Sequence, residues 1–106
     1  MIIVTTPNLH GKKITKVFGL VKGNTIRARH FGHDIMAGLK NLVGGEITGY
    51  TKMMAETREQ ALDRMIEEAE SLGANAIVGC QFATTMMMQG AAEFMVYGTA
   101  VLCEDD

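Results

Sequence analysis

The chain has 106 residues, with 10 Lys and Arg against 12 Asp and Glu, for a formal net charge of −2. This length suits a single domain, residues 1–106, with one hydrophobic core. An apolar content of 47% and a charged content of 21% are typical of globular proteins and exclude a disordered or low-complexity chain. Because a domain of this size buries only about two-thirds of its unfolded surface, association with further copies is expected to add stability.

The cysteine content and the opening residues indicate where the protein works. Cys80 and Cys103 are too few to cross-link a small secreted fold, and residues 1–6 are too short for the apolar region of a signal peptide. We therefore expect a cytoplasmic protein with reduced thiols. Residues 71–92 carry no charge, but polar residues and glycines interrupt them, so no transmembrane helix and no membrane partner are expected.

Charge is unevenly distributed along the chain. The charged residues from Lys12 to Arg29 are six basic side chains, whereas residues 34–106 carry four basic and twelve acidic ones. Six cations spread over 18 residues among apolar ones are a weak nucleic-acid footprint, so nucleic acid is not the expected partner. The basic first third is instead expected to be solvated and to pair with acidic helix surface.

The first third of the chain has the pattern of extended structure. Ile2–Thr6 is a β-branched run that Pro7 ends, because proline cannot donate to a strand ladder. A second extended run covers Lys13–Lys22. The pair Gly23-Asn24 then predicts a two-residue turn and a hairpin that returns through residues 25–28.

Helical periodicity follows in two segments. Apolar residues recur every three or four positions over Phe31–Val43, and Gly44-Gly45 stops or bends that helix. A second helix is predicted over Glu46–Leu72, where Gly73 fits a left-handed cap. Its apolar face is expected to contain Ile47, Tyr50, Met54, Ala61, Met65, Ala69 and Leu72.

Two strands, Ala76–Thr85 and Glu93–Cys103, complete the map around Gln89-Gly90. Between Ser71 and Cys103 the only charge is Glu93, so both faces of these strands are expected to be covered. Helices would cover one face and further protein the other. The sequence therefore predicts an intersubunit sheet or barrel.

The densest set of metal-ligating residues is His30-x-x-His33-Asp34. On a helix, His30 and His33 could converge on one transition metal ion, with Asp34 as a ligand or as the acceptor that fixes an imidazole tautomer. Cys80 is the soft ligand that could supplement them. The alternative interpretation is a group of ordinary polar residues at a helix start, because zinc normally takes three or four ligands.

The sulfur-containing residues have a packing interpretation as well. Cys80 is expected on one strand face with Val78 and Phe82, where apolar surroundings raise the thiol pKa and make it inert. The predicted hairpin places residue 80 opposite about residue 99, so a Cys80–Cys103 disulfide is not expected. Met86 and Met88 could hold soft Cu(I), but they are more typical of adaptable packing.

No residues match a known catalytic signature, so a non-enzymatic role is expected. No serine or cysteine lies in a recognised nucleophile motif, and the glycines form no phosphate-binding loop pattern. Gly44-Gly45 before a helix could leave main-chain amides free for an anion. Two alternatives to a metal-binding protein therefore stay open: a small-molecule or anion carrier with its site between subunits, and an enzyme with a composite intersubunit site.

Several blocks of the chain resemble the YbjQ-like family. They are Asp34-Ile35 with Leu39, residues 43–46, Arg58 with residues 61–65, residues 72–79 and residues 97–101. The resemblance covers nearly the whole chain. It implies an α+β subunit of the dodecin-subunit-like kind, with helices against an antiparallel sheet, assembled as a ring and expected to be a homopentamer. It also implies an uncharacterised protein with a heavy-metal-binding label, and it supplies no ligand set.

Overall fold

The computed structural model describes residues 1–27, 48–88 and 91–106. These residues form four strands and one helix, in the order β1 (Ile2–Ile3), β2 (Lys12–Arg27), α1 (Thr48–Leu72), β3 (Ala76–Met88) and β4 (Ala91–Asp105). The predicted helix over Phe31–Val43 and the glycine pair at positions 44 and 45 lie outside the described residues. Within the described ranges, no helix is both long enough and apolar enough to cross a lipid bilayer.

The strands form one mixed sheet in the order β1-β3-β4-β2. β3 and β4 are the predicted antiparallel hairpin, with Ile77 opposite Ala100, and β2 pairs antiparallel with the other side of β4. β1 is parallel to β3, so the sheet is mixed, and the expectation of a purely antiparallel sheet is wrong. The α+β class is confirmed, with α1 packed on the sheet where it crosses β2 and β4.

The predicted hairpin turn at Gly23-Asn24 is wrong. β2 continues through both residues as one strand of 16 residues, and its register with β4 places Gly23 opposite Val96 and Asn24 opposite Met95. Gly23 is a glycine for a different reason. A Cβ there would overlap the carbonyl oxygen of Ala61 and lie 2.6 Å from the Met65 nitrogen, so the missing side chain lets α1 lie directly on the strand.

The end of α1 is confirmed. Gly73 has a φ of +92°, and its N–H donates to the Glu70 carbonyl oxygen at 3.0 Å. The next N–H, of Ala74, donates to the Ala69 carbonyl oxygen at 3.1 Å. These two bonds close the helix in a Schellman motif, which a residue without a Cβ adopts most easily.

The main core lies between α1 and the sheet. Ala61, Met65 and Ala69, three of the residues predicted for the apolar helix face, are fully buried and pack against Val21 and Val96. Leu72, also predicted for that face, is 44% exposed because it lies in the last turn, beyond this cluster. The helical spacing therefore identifies the centre of the contact but not its end.

A second apolar cluster covers part of the opposite sheet face. Leu9 packs there with the four buried residues Ala76, Val78, Val101 and Cys103, and Val4 lies against them. Main-chain bonds hold the N-terminal segment along β3, including Val4 N–H to the Ile77 carbonyl at 2.9 Å and Gly79 N–H to the Thr6 carbonyl at 2.9 Å. The N-terminal segment of the same chain therefore covers one end of the sheet face that another subunit was predicted to cover.

A bulge in β3 changes which residues share a face. The register with β4 shifts between Val78 and Gln81, and Gly79 has a φ of +63°. As a result Cys80 packs in the α1-side core with Ile77, whereas Val78 belongs to the opposite cluster. The expectation that Cys80 and Val78 lie on the same face is wrong for this reason.

Replacing Gly23 with alanine tests the close contact between α1 and β2. We expect Gly23→Ala to lower the free energy of unfolding by about 1–3 kcal/mol, because the new methyl group must push the helix backbone away. Lys22→Ala, at an exposed neighbouring position of the same strand, is the control and should change it by less than about 0.5 kcal/mol. Equal denaturant midpoints for the two variants would contradict the contact.

Candidate functional site

The three most exposed large apolar side chains of β2 lie on the sheet face away from α1. Val17, Leu20 and Ile26 are 62%, 67% and 53% exposed. Their partners in the register are Val101, Thr99 and Glu93, which alternate with the β4 residues that face the helix. We call Val17, Leu20 and Ile26 the β2 stripe. It lies on an edge strand, outside the area that Leu9 and Val4 cover.

A second exposed apolar site lies on the other face, at β3. Phe82 is 55% exposed, and its register partner Val96 is part of the core under α1. Beside it is a shallow groove of about 20 Å³, lined by Arg58 and Ala61 of α1 and by Phe82, Ala83, Thr84, Phe94 and Met95 of the sheet. We call Phe82 and this groove the Phe82 patch. Its volume holds about one water molecule, so as it stands the groove is a contact surface and not a ligand cavity.

The two apolar surfaces are unlike and lie at opposite sides of the sheet. The β2 stripe is on one outer strand and faces away from α1, whereas the Phe82 patch is on β3, two strands away, on the α1 side. Exposed apolar side chains scattered singly need no explanation, but three on one face of one strand indicate an interaction surface, here with Lys22 and Asn24 between Leu20 and Ile26.

The basic residues of β2 meet acidic partners at the end of the chain. Lys12 Nζ lies 2.6 Å from Asp105 Oδ1, and Lys13 Nζ lies 3.8 Å from Glu104 Oε1. The hydrogen bond and the charge of Asp105 raise the pKa of Lys12, and Lys12 in turn lowers the pKa of Asp105. The Lys12 side chain is partly exposed and the other three are largely exposed, so the two pairs contribute little stability.

Asn75 binds the main chain of β4 through its side chain, a role that was not predicted from the residue pattern. Its side-chain amide donates to the Cys103 carbonyl oxygen at 2.9 Å, and its side-chain oxygen accepts from the Cys103 N–H at 2.8 Å. The side chain thus acts as one more strand residue beside β4. An asparagine two positions after the cap glycine was the available signal, since this residue type commonly bonds main-chain groups at turns.

The predicted metal ligands are not brought together by the described part of the fold. His30, His33 and Asp34 lie outside the described residues. Cys80 is 2% exposed in the apolar core, and burial raises the pKa of its thiol, which disfavours the thiolate that binds metals. Across residues 1–27, 48–88 and 91–106, no three His, Cys, Asp or Glu side chains are placed to hold a metal ion. The surroundings of Cys80 therefore do not fit a metal site.

Both cysteines are free and buried, and the sequence predicts burial for Cys80 alone. Cys80 lies in the core under α1 and Cys103 in the cluster on the opposite face, so the sheet separates the two thiols. Met86 and Met88, the other candidate soft ligands, belong to the last part of β3.

Residues 1–104 match the YbjQ family, whose description reads "Putative heavy-metal-binding". The chain belongs to the YbjQ family. Among its relatives, a UPF0145 protein of Clostridioides difficile is 58% identical over 106 residues, which cover 100% of this chain and 95% of that protein. A UPF0145 protein of Methanosarcina acetivorans is 55% identical over 101 residues and covers 95% of both chains. The family is uncharacterised, and none of these names gives a catalytic function.

A solved structure supports the fold of this YbjQ-family chain. The crystal structure of a protein of unknown function from Pediococcus pentosaceus, assigned to the DUF74 family, aligns with a TM-score of 0.62 over 98% of each chain. The two sequences are 19% identical, so the likeness concerns the fold alone.

The burial of the thiols can be measured directly. We expect Cys80 and Cys103 in the native protein to react with a thiol reagent only as fast as the chain opens locally, because both are buried and the raised pKa of Cys80 leaves little thiolate. Denatured protein, in which both thiols react at once, is the control. A Cys80→Ser variant separates the two signals, and rapid modification of native Cys80 would contradict its burial.

Proposed function

We propose that this YbjQ-family chain forms a cytoplasmic homo-oligomer, a head-to-tail ring expected to be a homopentamer, that binds a transition metal ion without catalysing a reaction. The single domain spans residues 1–106. The observation that supports assembly is the pair of unlike apolar surfaces, the β2 stripe and the Phe82 patch.

The arrangement of these surfaces favours a head-to-tail contact over a symmetric one. A two-fold contact places the same patch of both copies together, so burying both surfaces would take two separate interfaces. A head-to-tail contact brings the β2 stripe of one copy against the Phe82 patch of the next and covers both at once. When the rotation between copies closes, such contacts form a ring.

Burial of the exposed apolar side chains would stabilise the assembly. Full burial of a Val, Leu, Ile or Phe side chain is worth about 1.5–3 kcal/mol, and these four side chains are more than half exposed in the single chain. A chain of 106 residues buries a limited share of its surface in its own core. The burial of these four side chains between copies would therefore add substantially to the stability of the folded protein.

Charge substitutions in the two surfaces test the assembly. We expect the unmodified protein to sediment near the pentamer mass, about 58 kDa for five 11.5-kDa chains, and Leu20→Asp or Phe82→Asp to shift it to smaller species. Both positions are exposed in the single chain, so the variants should still fold. Leu72→Asp, at an exposed apolar position outside both surfaces, is the matched control and should keep the assembly. A stable monomer of the unmodified protein would contradict the proposal.

Mixing the two variants distinguishes a head-to-tail contact from a two-fold one. Leu20→Asp keeps an intact Phe82 patch, and Phe82→Asp keeps an intact β2 stripe. An equimolar mixture should therefore restore one good contact and give heterodimers in native mass spectrometry. A mixture that contains no heterodimer would overturn the head-to-tail arrangement.

Metal binding is the second part of the proposal, and it rests on the family description and on the sequence. His30, His33 and Asp34 are the proposed ligands, because an i, i+3 histidine pair with an adjacent carboxylate suits a transition metal ion. Cys80 stays a predicted supplement only. Its burial makes it the weakest of the four candidates, since a metal would have to enter the apolar core to reach it.

Elemental analysis tests the metal ligands. We expect untagged protein purified under anaerobic conditions to carry a near-stoichiometric transition metal that His30→Ala and His33→Ala each remove, because each variant loses one ligand. His10→Ala, which removes an exposed histidine elsewhere, is the control and should retain the metal. Absence of metal, with no calorimetric response to Zn(II) or Cu(I), would contradict this part. A co-purifying organic ligand seen by native mass spectrometry would instead favour the carrier.

A further inference from the structure

Within the described sheet, β2 has a long unpaired edge, which could pair with strands of other copies of the chain. It is an edge strand of 16 residues, and the neighbour that the described sheet gives it is β4 on one side. The other side of such a strand presents main-chain N–H and C=O groups that can pair with a strand of another copy. Pairing of this kind is a route to aggregation, whereas a ring has a fixed size.

Two side chains of α1 occupy main-chain groups of β2 where the helix crosses it. Arg64 Nη1 donates to the Asn24 carbonyl oxygen at 2.6 Å. The Lys22 N–H donates to Glu68 Oε1 at 3.3 Å. Lys22 and Asn24 are two residues apart, so in an extended strand their main-chain groups point to the same side.

The close crossing at Gly23 makes both contacts reachable. Because Gly23 has no Cβ, α1 lies against the strand at Ala61 and Met65. Arg64 and Glu68 are four residues apart and therefore lie on one side of the helix, one turn from each other. Their spacing along the helix matches the two-residue spacing of the strand groups that they bind.

We propose that Arg64 and Glu68 guard the β2 edge, so that copies of this chain cannot add strands at residues 22–24. An incoming strand would have to displace a guanidinium and a carboxylate from charge-assisted hydrogen bonds and leave them without those partners. The lysines of β2 act in the same direction, since charged side chains on an edge strand disfavour pairing with another strand. They stand at positions 12, 13, 16 and 22.

This inference rests on the proposed function in one respect: it specifies how an assembling chain avoids the wrong contact. With residues 22–24 occupied by Arg64 and Glu68, copies associate through side chains of the β2 stripe and the Phe82 patch and not through main-chain pairing at that segment.

Amide exchange tests the contact, and particle size tests its role. In Glu68→Ala we expect the Lys22 amide to exchange about tenfold faster, as expected from the loss of one hydrogen bond to a charged acceptor. We also expect Arg64→Ala, Glu68→Ala and the double variant to form species larger than the ring in sedimentation velocity and to bind thioflavin T. Glu67→Ala removes the same charge from the adjacent exposed position and should change neither result. Glu68→Gln keeps an acceptor oxygen and should restore most of the protection.

The outcomes separate a guard from a merely stabilising contact. Faster exchange at Lys22 without larger species would overturn the guarding role, and unchanged exchange would overturn the contact itself. A monomeric unmodified protein would contradict the proposed ring but would leave this test in force, because the unguarded variants should still form strand-paired aggregates. Larger species in Glu67→Ala as well would assign the effect to lost negative charge and overturn the proposal.

Discussion

The contact between α1 and the backbone of β2 at Gly23 is the constraint on which the rest of the structure depends. It brings Ala61 and Met65 into the sheet and so creates the core with Val21 and Val96. It also fixes α1 over β2 and β4, which leaves Phe82 on β3 exposed. One absent side chain thus decides both what is buried and what is left for other contacts.

The opposite sheet face shows how far a chain of this length can complete its own core. Its N-terminal segment follows β3 from Asn75 to Cys80 and places Leu9 over Val101 and Cys103. That cover ends before the β2 stripe. The remaining apolar side chains lie on an outer strand whose main-chain edge is partly occupied by α1, so side-chain packing against another copy is the contact that this arrangement favours.

The sequence predicted those features that depend on neighbouring residues. Helical spacing and the cap glycine located α1 and its end, and the charge-free run with its turn located the β3–β4 hairpin. Gly23 was misinterpreted because glycine serves both tight turns and close backbone contacts, and only the position of Ala61, 38 residues away, decides between them. The bulge at Gly79 had a similar effect, since one extra residue moved Cys80 to the face opposite Val78.

In the candidate site, too, the features that depend on packing could not be predicted from neighbouring residues. Phe82 is exposed because α1 lies over β2 and β4, and the β2 stripe is exposed because the N-terminal segment covers only part of the opposite face. Both are properties of packing that spacing along the chain does not encode. Cys80 illustrates the limit for metal chemistry, because a thiol is an excellent soft ligand only where it can ionise, and the core under α1 opposes ionisation. A metal ion held by His30, His33 and Asp34 would need no thiol from this core. The burial of Cys80 therefore concerns the core alone and does not bear on the proposed ligands at positions 30, 33 and 34.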